Sequence, residues 1–274
     1  MIQGTIALTD RGVVSVSGED AADFLQGLLT NDVLALAQGE ARYGALLTPQ
    51  GKILFDFLVL RDGAEFYLDC ARDQAEPLAK RLGFYRLRAK VLIQDMSATL
   101  GITAGFSSAP PRSYADPRHC DIGWRLIAPL ADRPGPGGIA AYEARRIALG
   151  LPKGGVDFAF GDTFPHEANL DRLHGIDFRK GCYVGQEVVS RVEHRGLARK
   201  RIVQVTYEGQ APELGTTILA GETALGTMGS SAAGHGLAML RLDRLEAAAD
   251  TEIRAGGVIL RITGQKSAGH CATS

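Results

Sequence analysis

One change of pattern constrains the fold of this chain more than any other feature. Up to about residue 149, β-type and helix-type periodicities alternate; beyond Gly196 to Arg201 only short β-patterned pieces remain. Val13-Val14-Ser15-Val16 reads as a strand. Glu19-Asp20 then opens a helix whose apolar positions Ala22, Phe24, Leu25, Leu28 and Leu29 fall at helical spacing. Residues 43–47 and 53–60 read as strands joined by the Pro49-Gln50-Gly51 turn, and 65–69 as a third strand after Asp62-Gly63. A helix over 73–82 and a strand over 90–94 follow. Strand, helix, strands, helix, strand is the alternation of an antiparallel sheet, so the fold class is α+β with a ferredoxin-like part. Residues 107–117, rich in Pro and Ser, read as a surface loop, and 133–138 as a break. A helix over 140–149 is stopped by Gly150 and Pro152. In the last part, 202–207, 216–219, 225–229, 236–240 and 258–262 read as short strands between glycine-bearing turns, the pattern of a small β-barrel. The expected organisation is a body over 1–196 with two subdomains, a barrel over 197–264 and a disordered tail over 265–274.

Charge and cysteine usage narrow the function classes. The formal net charge of the 274 residues is −1, so no global basic field draws the chain to nucleic acid or to a membrane surface. No apolar run is long enough to span a bilayer, and Met1-Ile2-Gln3-Gly4-Thr5 lacks the features of a secretory signal. Cys70, Cys120, Cys182 and Cys271 are scattered with no Cys-x-x-Cys pair, which argues against a disulfide framework or a resident cluster. Histidines 119, 166, 174, 194, 235 and 270 show no metal-ligand spacing, and no metal site is expected. These properties lead to the expectation of a cytoplasmic protein.

The residues richest in chemistry are Lys180-Gly181-Cys182-Tyr183-Val184-Gly185-Gln186-Glu187. The extended segment Gly175-Ile176-Asp177-Phe178 precedes them, and an amphipathic helix begins near Gln186. Glycines permit close approach of backbone to a ligand, and a helix start favours an anion or thiolate. Cys182, beside Arg179 and Lys180, is therefore expected to be a reactive thiol of lowered pKa, against the alternative of a small cysteine buried in a tight turn. Glu187 and Arg191, at i and i+4, are either ligand contacts or a solvated helix pair.

The octapeptide closely resembles the signature of the YgfZ-type folate-binding proteins, a branch of the glycine cleavage T-protein superfamily. Val16 to Ala21, Phe24-Leu25-Gln26-Gly27, Thr30-Asn31-Asp32-Val33, Leu46 to Lys52 and Pro165-His166-Glu167-Ala168-Asn169-Leu170 resemble further blocks of that superfamily. The resemblance implies a T-protein-like body and a C-terminal barrel around a central folate cavity. It implies tetrahydrofolate or a one-carbon derivative as ligand, with Glu187 or Glu167 accepting the pterin donors and Lys180, Arg191 or Arg195 meeting the glutamate tail. Gly181, Tyr183, Gly185, Gln186, Asn169, Gln26 and Arg11 complete the implied binding set, and Cys182 carries the functional thiol.

By the same resemblance the chain is expected to be an accessory protein for assembly or repair of iron–sulfur clusters in a subset of enzymes. Its partners would be assembly proteins and client enzymes, and effects on tRNA modification would be indirect. The alternative is a tetrahydrofolate-dependent one-carbon transferase. The catalytic block of true aminomethyltransferases is poorly matched: the corresponding stretch runs from Tyr67 to Asp73, without the expected Asn. Aminomethyltransferase activity is therefore not expected.

Overall fold

The computed structural model of the protein describes residues 5–133, 137–196, 198–249 and 251–263. Its elements run β1 (Thr5–Leu8), β2 (Arg11–Ser17), α1 (Ala21–Gln26), β3 (Ala41–Leu47), β4 (Ile53–Asp62), β5 (Glu65–Ala71), α2 (Ala75–Tyr85), β6 (Leu92–Asp95), β7 (Leu100–Gly105), β8 (Tyr114–Ala115), β9 (Trp124–Pro129), α3 (Ile139–Ala148) and α4 (Gln186–Arg195). The C-terminal part holds β10 (Lys200–Tyr207), β11 (Thr217–Ala220), β12 (Thr223–Ala232), β13 (His235–Arg241), α5 (Leu242–Ala247), β14 (Ile253–Ala255) and β15 (Val258–Thr263). The body contains a five-stranded sheet, β3-β4-β5-β2-β6, and a four-stranded sheet, β1-β7-β9-β8; β10-β13-β12-β11-β14-β15 closes into a barrel. All pairings in these sheets are antiparallel, as the alternation of periods requires.

The period of two along β4 explains how the body is layered. Phe55, Phe57 and Val59 face one way, into a core shared with Leu25 and Leu29 around α1 and with Leu78 and Leu82 of α2. Leu58 and Leu60 face the other way, into a core shared with β1, β7 and the chain between α3 and α4. The five-stranded sheet is thus buried on both faces. The barrel repeats the device. Val203, Val205 and Tyr207 of β10 point inside it, whereas Ile202 and Leu237 point outward into the body core. Burying two such side chains contributes about 1.5–3 kcal/mol each, so barrel and body are packed together rather than tethered.

The segment 175–178 belongs to no strand, and its polar groups are used in docking onto the body, as described below. One reading is corrected here. The loop over 107–117 contains the two-residue strand β8. The strands β1, β7 and β9, which build the second sheet, were not anticipated at all. Residues 134–136 of the expected break and 264–274, including the tail expected to be disordered, lie outside the described residues.

Candidate functional site

The signature octapeptide forms a turn fixed from both ends. Upstream, Asp177 Oδ1 accepts the backbone N–H groups of Arg179 and Lys180 at 2.8 and 3.1 Å, and the backbone N–H of Asp177 donates to Thr30 O. Thr30 Oγ1 donates to Gly175 O at 2.6 Å, and Asn31 Nδ2 donates to His174 O at 2.6 Å and Tyr43 O at 2.8 Å. Lys180 is buried and its Nζ donates to three backbone carbonyls, Gln26 O, Leu29 O and Asn31 O, at 2.7, 2.5 and 3.1 Å. Burial pushes its pKa down to about 8, and the ammonium also lies over the Tyr183 ring at 5.1 Å. Downstream, Tyr183 is buried in the body core.

Gly185 has φ 81° and caps the start of α4. A Cβ there would lie 2.6 Å from Thr48 O and 3.0 Å from the Gly51 Cα, so the signature turn and the Pro49-Gln50-Gly51 turn meet backbone to backbone. Gly51 in turn has φ 80° and faces Val188 of α4. Cys182 is exposed between the buried anchors Lys180 and Tyr183. It is a presented thiol rather than a core cysteine. Cys70 is the reverse case: it is buried, and burial pushes its thiol up to about 12.

The remaining residues of the implied ligand set are dispersed. Lys180 is corrected from a tail contact to an internal brace, since its three donors are used on carbonyls. Gly181 has open space around its Cα hydrogens and no left-handed φ, so nothing in the fold requires a glycine there. Gln186 is the first residue of α4. Glu187 and Arg191 form an exposed i,i+4 pair at 2.8 Å, the solvated-pair alternative. Gln26 Oε1 accepts the backbone N–H of Val33 at 2.7 Å, a local role. Asn169, at φ 62°, donates from Nδ2 to Ile202 O and accepts from Arg201 at Oδ1, joining the body to the barrel. Arg11 is tied to Asp69. The side chain of Arg195 lies outside the described residues.

Two features were not legible in the sequence. The first is a buried ion-pair network at the centre of the body. Asp69 on β5 accepts from Arg11 on β2 at 2.7 Å and from Arg125 on β9 at 2.5 Å; Asp116 accepts from Arg125 at 3.1 Å and from Arg118 at 2.6 Å. Burial favours neutral Asp116, but Arg118 and Arg125 outweigh it and hold the carboxyl well below its ordinary range. Tyr142 accepts from Arg125 at 2.7 Å, and Tyr43 donates to Asp56 at 3.0 Å. The second feature is a grouping of His166, Asp171 and Glu193, whose ligand-type atoms lie within 4.8 Å of one another. Asp171 is already neutralised by Arg201 at 2.9 Å and His166 Nε2 is 3.0 Å from Glu193, so the group reads as an ion pair beside a histidine–carboxylate hydrogen bond rather than a metal cage.

The fit of a reduced folate differs between two cavities. The central cavity beside Arg11, Arg125 and Tyr142 measures about 20 Å³, room for a water molecule and not for a pterin. The resemblance implies a folate cavity between body and barrel, close to Cys182. A cleft of about 520 Å³ between body and barrel is of ligand size. Lys52, Phe164 and Glu167 line its body side, and Lys200, Met228 and Met239 its barrel side. Glu167 is steadied by accepting the backbone N–H of Phe164 at 2.9 Å, and Lys52 sits over the Phe164 ring at 5.6 Å. Three carboxylates, Asp157, Asp162 and Glu167, share the lining with the two ammonium groups and the aromatic face, and Lys52 pairs with Asp162 at 2.6 Å; Glu167 and Lys200 suit a pterin and its anionic tail. Lys52 directly follows Gly51, so the cleft wall and the signature share one turn.

Comparison with known proteins accords with this architecture. Residues 4–104 match the GCVT N-terminal domain, and residues 199–268 match the CAF17 C-terminal beta-barrel domain. The fold is similar to that of glycine cleavage system aminomethyltransferase T from Bartonella henselae, with a TM-score of 0.75 and 19% identity over 95% of this chain and 84% of that one. The fold and its two domains therefore define a GCVT-like protein with a CAF17-type barrel. Iron-sulfur cluster assembly factor IBA57, mitochondrial, of Mus musculus is 33% identical, covering 87% of this chain and 78% of its own length. The corresponding homolog of Neurospora crassa is 35% identical, covering 77% of this chain and 56% of its own length. The chain belongs to the IBA57 family of iron–sulfur cluster assembly factors, to which the YgfZ-type proteins named from the signature are close relatives.

It spans a little over half the length of the Neurospora crassa and Mycosarcoma maydis relatives. These relatives are mitochondrial by name, which overturns the cytoplasmic expectation. Near-neutral charge and scattered thiols suit any reducing compartment and could not discriminate between them.

Proposed function

We propose that this chain assists the assembly or repair of iron–sulfur clusters, with Cys182 as the group that meets the cluster or its sulfur in transit. The observation that carries the reading is an exposed thiol held between two buried anchors, in a chain whose relatives are named cluster assembly factors. A thiolate is a ligand for iron and an acceptor for sulfur, and a fixed, exposed position lets a partner protein reach it. Assembly proteins and client enzymes are the partners of this reading, with no direct nucleic-acid contact. A reduced folate would occupy the cleft between body and barrel, with Glu167 toward the pterin and Lys200 toward the tail; bound there, it would supply one-carbon or redox chemistry.

The test is complementation of a deletion strain with the wild type or with Cys182→Ala, assaying several cluster enzymes. The wild type restores them and Cys182→Ala does not, at equal protein level. Full restoration by the variant ends the reading. Folate is tested separately by calorimetry, and a dissociation constant above roughly 1 mM, about −4 kcal/mol, removes the ligand without touching the thiol.

A further inference from the structure

The C-terminal end of α2 and the turn after it carry a surface that the proposed function leaves unused. Lys80, Arg81, Arg86, Arg88 and Lys90 place five cations within residues 80–90, a stretch with no carboxylate, in a chain whose net charge is −1. The flanking lysines are paired, Lys80 with Glu76 and Lys90 with Glu19. Arg81, Arg86 and Arg88 are exposed and take part in no ion pair among the described residues. Between them project two large apolar side chains, Phe84 at 75% exposure and Leu87 at 90%. Leu87 has φ 42°, a conformation that a bulky L-residue adopts rarely and at a cost. The chain thus holds an apolar side chain outward, in a strained backbone, inside a ring of cations.

We propose that this surface docks the protein on an anionic phospholipid bilayer, with Phe84 and Leu87 entering the headgroup boundary and Arg81, Arg86 and Arg88 meeting the phosphates. Charge complementarity selects an anionic occupant. The apolar pair selects a bilayer among anionic occupants, because Phe and Leu flanked by basic residues are what an interfacial segment inserts. Single-stranded nucleic acid needs open ring faces, and Arg81 already covers one face of Phe84 at 5.9 Å. The surface also lines none of the cavities described above, whereas a bilayer accepts projecting side chains without a complementary pocket. Net charge, which argued against membrane contact, is blind to so local a patch. The patch and the signature turn both make hydrogen bonds to α1. Asp20, at the start of that helix, accepts the backbone N–H of Lys90 at 2.7 Å, and Gln26, at its end, accepts from Lys180.

The experiment is flotation of the full chain with phosphatidylcholine vesicles, with and without phosphatidylglycerol, at low and physiological salt. Binding is expected only with the anionic lipid and falls as salt rises. Replacing the three arginines by Gln weakens it roughly a hundredfold, from a factor of about five per charge. Phe84→Ser with Leu87→Ser weakens it by roughly tenfold or more. Ile259→Ser, at an exposed apolar residue of β15 away from the cleft, leaves it unchanged. Far-UV circular dichroism and thermal midpoints of all variants match the wild type. The proposal is overturned if the wild type does not float with anionic vesicles at low salt, or if the Phe84 and Leu87 double variant floats like the wild type. Binding to single-stranded RNA or polyglutamate that needs the arginines and ignores both apolar residues overturns it in favour of a soluble polyanion.

Discussion

Gly181 and Gly185 stand four residues apart in one motif and carry unequal burdens. Gly185 combines φ 81° with a backbone oxygen 2.6 Å from any added Cβ. Gly185→Ala is expected to cost about 2–3 kcal/mol or more in denaturant unfolding, whereas Gly181→Ala stays within about 0.5 kcal/mol. Equal costs would show that the close approach to Thr48 is not maintained in solution. Lys180 is a second residue whose role differs from its appearance. Lys180→Met leaves three carbonyls without a donor and is expected to destabilise by about 2–4 kcal/mol, with no separate loss of folate affinity in calorimetry on the folded fraction. The sequence displays the lysine but not its direction, because its acceptors lie 149 to 154 residues upstream. Glu187 and Arg191 are the opposite case: their i,i+4 spacing already allows the pair that forms, one of the two readings it leaves open, because both partners sit on one helix face.

Elements with strong alternation were legible, and those without it were not. Phe55, Phe57 and Val59 against Leu58 and Leu60 declare β4 by period two, and the five-stranded sheet follows from its neighbours. The strand Leu100–Gly105, with two glycines and one alanine among its six residues, has little side-chain pattern; its identity comes from pairing with Thr5–Leu8, roughly a hundred residues away in the chain. The ion-pair network is invisible for the same reason, since it joins β2, β5 and β9 across two sheets. It predicts the acid response of the body. The folded-state pKa of Asp116 is depressed, so its stabilisation is fully present above its ordinary value near pH ~4 and is lost as pH falls below that. Asp116→Asn is expected to cost about 3–5 kcal/mol at neutral pH, by leaving Arg118 and Arg125 short of a buried partner. Its acid unfolding curve becomes shallower below pH ~4 than that of the wild type. Parallel curves would mean that Asp116 is not charged in the folded protein.

At the scale of the molecule, body and barrel share both apolar and polar contacts. Ile202 and Leu237 belong to the body core. Arg201 pairs with Asp171, the backbone N–H of Ile202 donates to Glu167 O at 2.8 Å, and Ser230 meets both Arg146 and Asp157. Calorimetry of the intact chain is therefore expected to record one unfolding transition rather than two, and Arg201→Met should lower the midpoint of that single transition. A resolved second peak would show the barrel to be an independent unit. The long-range bracing of the signature turn also has a consequence for biosynthesis. The distant anchors of the turn, from Gln26 to Gly51, leave the ribosome more than a hundred residues before the thiol does. The turn therefore closes onto a surface already made, and a chain whose N-terminal sheet has failed to fold has nowhere to seat it. Such a molecule retains its cysteine but presents no site, so that access to the thiol doubles as a report that the first half of the protein is correctly built.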